Sequence, residues 1–446
     1  MQAINTMLIA SCKKKEDAKS EVIKDILFNW DFSDFMDGKE FVKSYVHSVI
    51  NNENYVRNNL ILGGIIMLIL VIAPLAIPTG SILYTRLLFL IPIIPIIILF
   101  LYIRKLYKLF QRNNIGLNPG NTFLKRMTDV LHTFGIDTVA QLNEKFKAKE
   151  RDLNLNYRYG NTSEYYNIAL ENIRKIKDIH KEHLDETRFK LFYESAVNND
   201  YYKTNPFYLL KSEYVVIATD IATKIKVEFP RMSNLYWSEE ELKQTSPSHF
   251  VRASMSVPFF FEPMQKNIDA TQESVKYAWR YWLNTTQQNI CPAGIFIDGG
   301  SISNFPVDLF HNNDIFYPRL PVFGVKLTSD LDIIKDKGCS SKEVLRTPLS
   351  FSGNIINTLR GFNDKTFLTK YSFYDLYSIQ TVNCGKSNWL NFFMKKEEKE
   401  DLFNRGFQSA LDFLSKFDWE KYKYERMMVS MKDKKIMKEM DTPTVG

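Results

Sequence analysis

The sharpest chemical signal in the 446 residues is Ile295-Phe296-Ile297-Asp298-Gly299-Gly300. An apolar run of strand length ends on a carboxylate, and two glycines let the backbone turn tightly behind it. Asp298 is thereby placed at a sheet edge, where a carboxylate can take the proton of a hydroxyl nucleophile within hydrogen-bond reach. An ordinary strand followed by a turn reads the same way. What sets this tripeptide apart is its company. Asn304, Phe305 and Pro306 follow it, and upstream lie residues 214–220 (YVVIATD) and 250–263 (FVRASMSVPFFFEP).

In this order and at comparable spacing, these segments resemble the patatin-like phospholipase family, whose members carry an xTD strand, an RAS…xP.fF.P segment and a DGG…NxP turn. The resemblance runs from Ala3 to Glu420, with one apolar stretch as an insertion. It implies an α/β fold, a patatin-like sheet flanked by helices, and hydrolysis of lipid acyl esters by a Ser–Asp dyad without histidine. In the family a GxSxG elbow carries the serine and a GGGxxG loop supplies N–H groups to the oxyanion. Asp298 matches the proton acceptor, and Asp298, Gly299 and Gly300 form the DGG motif. Asp220, Arg252, Ser254, Ser256, Pro258 and Asn304 are expected to line the site. No cofactor or metal is implied, and the expected ligand is a membrane phospholipid or acyl ester.

The chain departs from the family where the nucleophile belongs. No GxSxG or GGGxxG occurs in it; the nearest approach, residues 299–303 (GGSIS), lacks the last glycine and overlaps the Asp turn. The family helix after the elbow begins GTSAGAI, whereas this chain begins MQAINTML, so that Ala3-Ile4 match the final AI. The expectation is a patatin-like domain lacking its N-terminal strand, oxyanion loop and nucleophile, through a late start, a broken reading frame or true loss of catalysis. The 446 residues themselves are expected to be inactive. Ser254 and Ser256 sit on no elbow and are poor substitutes. None of His47, His132, His180, His183, His249 and His311 falls in a catalytic motif. The competing reading is a non-catalytic, membrane-anchored lipid-binding or scaffold protein of the same fold. A third is a small membrane protein whose soluble part is unrelated.

The elements that must position these residues are interrupted by a long apolar stretch. Residues 60–77 and 87–103 are joined by a polar turn with Arg86 as the only charge. Each run would make about 27 Å of helix, close to the thickness of a bilayer core. Two buried core helices are the alternative. Arg57 before the runs and Arg104, Lys105, Lys108 and Arg112 after them place both flanks in the cytoplasm by the positive-inside rule. The expectation is a two-span membrane anchor at 57–112 between patatin-like parts at 1–56 and 113–429, with a loose tail at 430–446. Residues 9–12 (IASC) resemble a lipoprotein cleavage site, but no basic residue precedes them and Gln2, Asn5 and Thr6 break the apolar run.

Elsewhere, residues 1–50 read as helix with Ile23, Ile26, Leu27, Trp30 and Phe32 on an apolar face, ending near Asp37-Gly38. Residues 116–122 read as a turn and N-cap before a helix presenting Phe123, Met127, Val130, Leu131 and Phe134. Residues 145–205 read as solvated helices and loops. Strand-length runs occur at 214–219, 295–297 and 322–327. Phe403, Phe407, Ala410, Leu414 and Phe417 follow helical spacing. With 58 Lys+Arg against 51 Asp+Glu, the net charge of +7 is mild and forms no basic stripe, which argues against nucleic acid. Four cysteines, far apart, exclude a disulfide scaffold or zinc finger and fit a reducing compartment.

Overall fold

The computed structural model describes residues 2–12, 18–38, 115–156, 213–311, 320–327, 364–371, 377–381 and 392–433, with isolated positions between them. In chain order the elements begin with α1 (Gln2–Ser11), α2 (Lys19–Asn29), β1 (Gly116–Asn118), α3 (Asn121–Thr133) and α4 (Val139–Asn156). Next come β2 (Val216–Asp220), β3 (Ile225–Phe229), α5 (Glu239–Gln244), α6 (Ser248–Ser254), β4 (Phe259–Phe261), β5 (Met264–Asn267), α7 (Glu273–Leu283) and β6 (Ala293–Asp298). Last are β7 (Gly324–Leu327), β8 (Ser378–Thr381), α8 (Lys396–Leu414) and α9 (Trp419–Asp433). Helices and small sheets alternate, so the chain is of the expected α/β class.

Two compact units divide the chain. The first comprises Met1–Asp137, Val216–Asp298 and Ser387–Lys395. Its sheet has the order β3-β2-β6-β5, antiparallel throughout, with Asp298 opposite Ala218 and Asp220 opposite Phe296. All five β2 side chains are buried, because α1 and α6 pack against that strand. A ring cluster fills the interior: Phe229 stacks on Phe250 at 4.8 Å, and Tyr236 meets Phe296 edge-on at 4.7 Å. α1 buries Ile4, Met7 and Leu8 on one face. α3 buries Phe123, Met127 and Leu131, spaced four apart on one stripe, while Val130 and Phe134 are half-buried.

The second unit comprises Thr138–Val215, Gly299–Lys386 and Lys396–Gly446. Its core gathers Phe305, Val307, Tyr371, Tyr374, Tyr377 and Tyr422, beside the parallel pair β7–β8. α8 forms where the periodicity expected a helix, but Phe403, Phe407 and Leu414 are exposed. Of the expected face Phe417, just past the helix end, does pack, meeting Phe323 at 4.9 Å, and within α8 it is Phe413 that meets Phe323, at 5.3 Å. α9 continues to Asp433, past the point where the tail was expected to begin.

The two-span anchor and the orientation derived from it need correction. Among the described residues no helix is long and apolar enough to cross a membrane. The long described helices are dense in charge: α4 carries Glu144, Lys145, Lys147, Lys149, Glu150, Arg151 and Asp152, and α8 carries eight Lys, Arg, Asp and Glu residues. A hydrocarbon core rejects such a load. Residues 60–77 and 87–103, on which the expectation rested, lie outside the described residues apart from single positions such as Leu62 and Ile97.

Candidate functional site

Asp298 closes β6 and is half-buried. Its backbone is held from two sides: its N–H donates to the Ser256 carbonyl at 2.8 Å, and its own carbonyl accepts from Thr219 Oγ1 at 3.3 Å. The xTD strand, the end of the RAS helix and the DGG strand therefore meet at one residue. α6 packs on both β2 and β6, which fixes this meeting. Beyond Asp298 the chain turns through Gly299–Ser301 as a single right-handed 3-10 turn. The chain thus turns tightly after the carboxylate, with neither Gly299 nor Gly300 at positive φ.

Ser256 is fully buried and committed. Its hydroxyl donates to the Arg252 carbonyl at 3.0 Å and accepts from Arg252 Nη1 at 2.5 Å. Ser254 is buried in the last turn of α6. Neither stands at a strand-to-helix elbow. Pro258 lies inside a turn closed by the Val257 carbonyl, which accepts from the N–H groups of Phe260 and Phe261 at 3.2 and 2.9 Å.

Arg252 is only 5% exposed, and its guanidinium ties three segments together. Besides Ser256 it donates to the carbonyls of Pro119 at 2.7 Å and Glu262 at 2.8 Å, and it lies over the Phe261 ring. Burial lowers its pKa to about 10, against the opposing pull of Asp37 and Glu262. Burial likewise raises the Glu262 carboxyl above its ordinary value. Gly120 makes this clamp possible. Its φ is +75°, and a Cβ there would sit 2.5 Å from Arg252 Nε.

Two residues of this clamp were not foreseen. The first-turn amides of α3 need acceptors, and Gly120 has no side chain to offer. Asp37 supplies them instead, accepting from Gly120 N at 2.8 Å and Thr122 N at 2.9 Å. Asn118, fully buried, accepts from Gly38 N and donates to the Phe260 carbonyl, both at 3.0 Å. Residues 116–118 are thus a short strand paired in parallel with β4 rather than part of a turn. The sequence signal was present in Asp37-Gly38 and Asn118-Pro119-Gly120, but each read as an isolated turn.

Asp220, at the far end of β2, is fully buried. Its carboxylate accepts from Ala222 N at 2.9 Å, Thr223 Oγ1 at 2.7 Å, Tyr236 OH at 3.0 Å and Ile295 N at 3.0 Å. Burial first, and the Asp220 charge next, raise the Tyr236 phenol well above its ordinary value, so it stays a donor. This carboxylate locks the β2–β3 turn onto β6. Asn304 belongs to the second unit and is exposed. There Asp364 anchors the loop, accepting from Ser303 Oγ, Asn304 N at 2.7 Å and Phe305 N at 2.9 Å.

Among the described residues no group of His, Cys, Asp and Glu could hold a metal ion. In comparisons with known proteins, no family model, curated protein or solved structure matches the chain.

Proposed function

We propose that the chain carries the proton-accepting half of a patatin-like lipid acyl hydrolase, with Asp298 as the base toward a serine on an elbow. In that reaction the serine oxygen attacks the ester carbonyl while Asp298 takes its proton. The alkoxide leaves as the alcohol by taking that proton back from Asp298. Asp298 then takes a proton from the water that attacks the acyl-enzyme, and returns it to the serine oxygen as the fatty acid departs. One observation supports the reading above others: the Asp298 N–H bonded to the Ser256 carbonyl, and its carbonyl bonded to Thr219, join the three motifs at one half-buried carboxylate. α1, whose Ala3-Ile4 the resemblance aligns with the helix after the elbow, packs on the same β2 and α6.

The test is turnover of a p-nitrophenyl acyl ester. A longer protein, made where the DNA upstream of Met1 encodes GGGxxG and GxSxG in frame, turns the ester over, and Asp298→Asn abolishes this. Full activity in the Asn variant would sink the reading. A second reading, a non-catalytic lipid-binding protein of the same fold, is favoured by the commitment of Ser256 to Arg252. Upstream DNA without either motif would select it.

A further inference from the structure

We propose that the outward face of α7 docks onto a lipid surface bearing anionic headgroups. The inference rests on the lipid-ester reading and deepens it by naming how such a substrate is approached. The inner face of α7 is anchored firmly: Val275, Ala278 and Trp279 are buried, and Trp279 Nε1 donates to the Leu235 carbonyl at 2.7 Å. Outward stand three aromatic side chains, Tyr277 at 71%, Tyr281 at 68% and Trp282 at 42% exposure. They touch one another and form one patch, with ring centroids 6.2 Å apart for Tyr277–Tyr281 and 5.2 Å for Tyr281–Trp282. Asn284 ends the helix in a left-handed cap directly after Leu283, so Trp282 projects from the last turn.

Tyrosine and tryptophan have an apolar body and a polar tip, and a headgroup boundary satisfies both ends at once. The charge agrees. Between Glu273 and Asp298 the chain holds two cations, Lys276 and Arg280, and no acidic residue. Lys276 is paired with Glu273 at 2.7 Å, which leaves exposed Arg280 to meet a lipid phosphate. A carbohydrate is the other common partner of surface aromatics, but while Tyr277 and Tyr281 lie within 15° of parallel, Trp282 stands at 89° to Tyr281, so the three rings share no single stacking face.

The experiment reads Trp282 itself in the whole 446-residue chain, as the emission of wild type minus that of Trp282→Phe. The probe is a vesicle of phosphatidylcholine and phosphatidylserine, brominated in the acyl chains close to the headgroups. The expected result is a blue shift with at least about twofold quenching of the difference emission, lost in Tyr277→Ser/Tyr281→Ser and weakened by Arg280→Glu or high salt. An unshifted, unquenched difference emission overturns the proposal. So does quenching that ignores Arg280→Glu, or a shift produced by a soluble oligosaccharide and not by vesicles. Asp298→Asn leaves this signal unchanged, so failure of docking and failure of the hydrolase reading are told apart.

Discussion

Two carboxylates end neighbouring strands of one sheet, and they are treated in opposite ways. Because β2 and β6 run antiparallel, Asp220 and Asp298 lie at opposite ends of the pair. At the Asp220 end, four donors converge on a fully buried carboxylate. At the Asp298 end the neighbouring motifs grip the backbone of the residue, and the side chain is half-buried. A carboxylate on which four donors converge is a structural tie. Asp298 is instead gripped through its main chain and is only half-buried, the setting in which the proposal above places proton transfer. Both residues belong to motifs of the same resemblance, so motif membership alone does not separate the two jobs.

The contrast can be broken by substitution. Asp220→Ala leaves four donors, the buried Tyr236 hydroxyl and two part-buried main-chain amides among them, without their acceptor, and is expected to cost about 4 kcal/mol in urea unfolding. Arg252→Met removes a buried cation that spans Pro119, Ser256 and Glu262; the same measurement should show a loss of about 3 kcal/mol. Tyr236→Phe deletes one of the four donors to Asp220, for a loss of about 1 kcal/mol. Asp298→Asn is expected to cost less than about 1 kcal/mol. If Asp298→Asn destabilised the fold as much as Asp220→Ala, the two ends would be alike and the distinction would fail.

A smaller effect sharpens the same region. His249, in the first turn of α6, is held below its ordinary value of 6.5, chiefly by burial and against the raising effect of its bond to the Ser246 carbonyl. The folded state therefore keeps this ring neutral where the unfolded chain protonates it. The stability tied to it is present above 6.5 and declines as pH falls from there toward the lowered folded value. His249→Gln should flatten the pH dependence in that window. An unchanged slope would show that the ring titrates alike in both states.

Much of the frame was legible because it depends on local pattern. The apolar runs at 214–219, 295–297 and 322–327 became β2, β6 and β7 within two residues at either end, and the four-residue spacing of Phe123, Met127 and Leu131 marked the buried stripe of α3. What escaped notice depends on residues far apart in the chain. The Asp37 cap on α3 reaches across 83 residues to Gly120, and the Arg252 bond to the Pro119 carbonyl across 133. No periodicity encodes such pairings. The α8 face misled for a related reason: spacing shows that Phe403 and Phe407 share a side, but only the surroundings decide whether that side is covered. The two-span anchor expected of the apolar runs at 60–77 and 87–103 is not supported, since no helix among the described residues is long and apolar enough to cross a membrane.

The most direct measurement of the central claim is p-nitrophenyl acyl ester turnover by the purified 446-residue protein, run beside labelling with a fluorophosphonate that reacts with activated serines. With Asp298 present but no GxSxG and no GGGxxG in the chain, the expected result is no label and no turnover above that of Asp298→Asn. Turnover that disappears on Asp298→Asn, accompanied by labelling of one serine, would place a nucleophile within these residues and contradict the account.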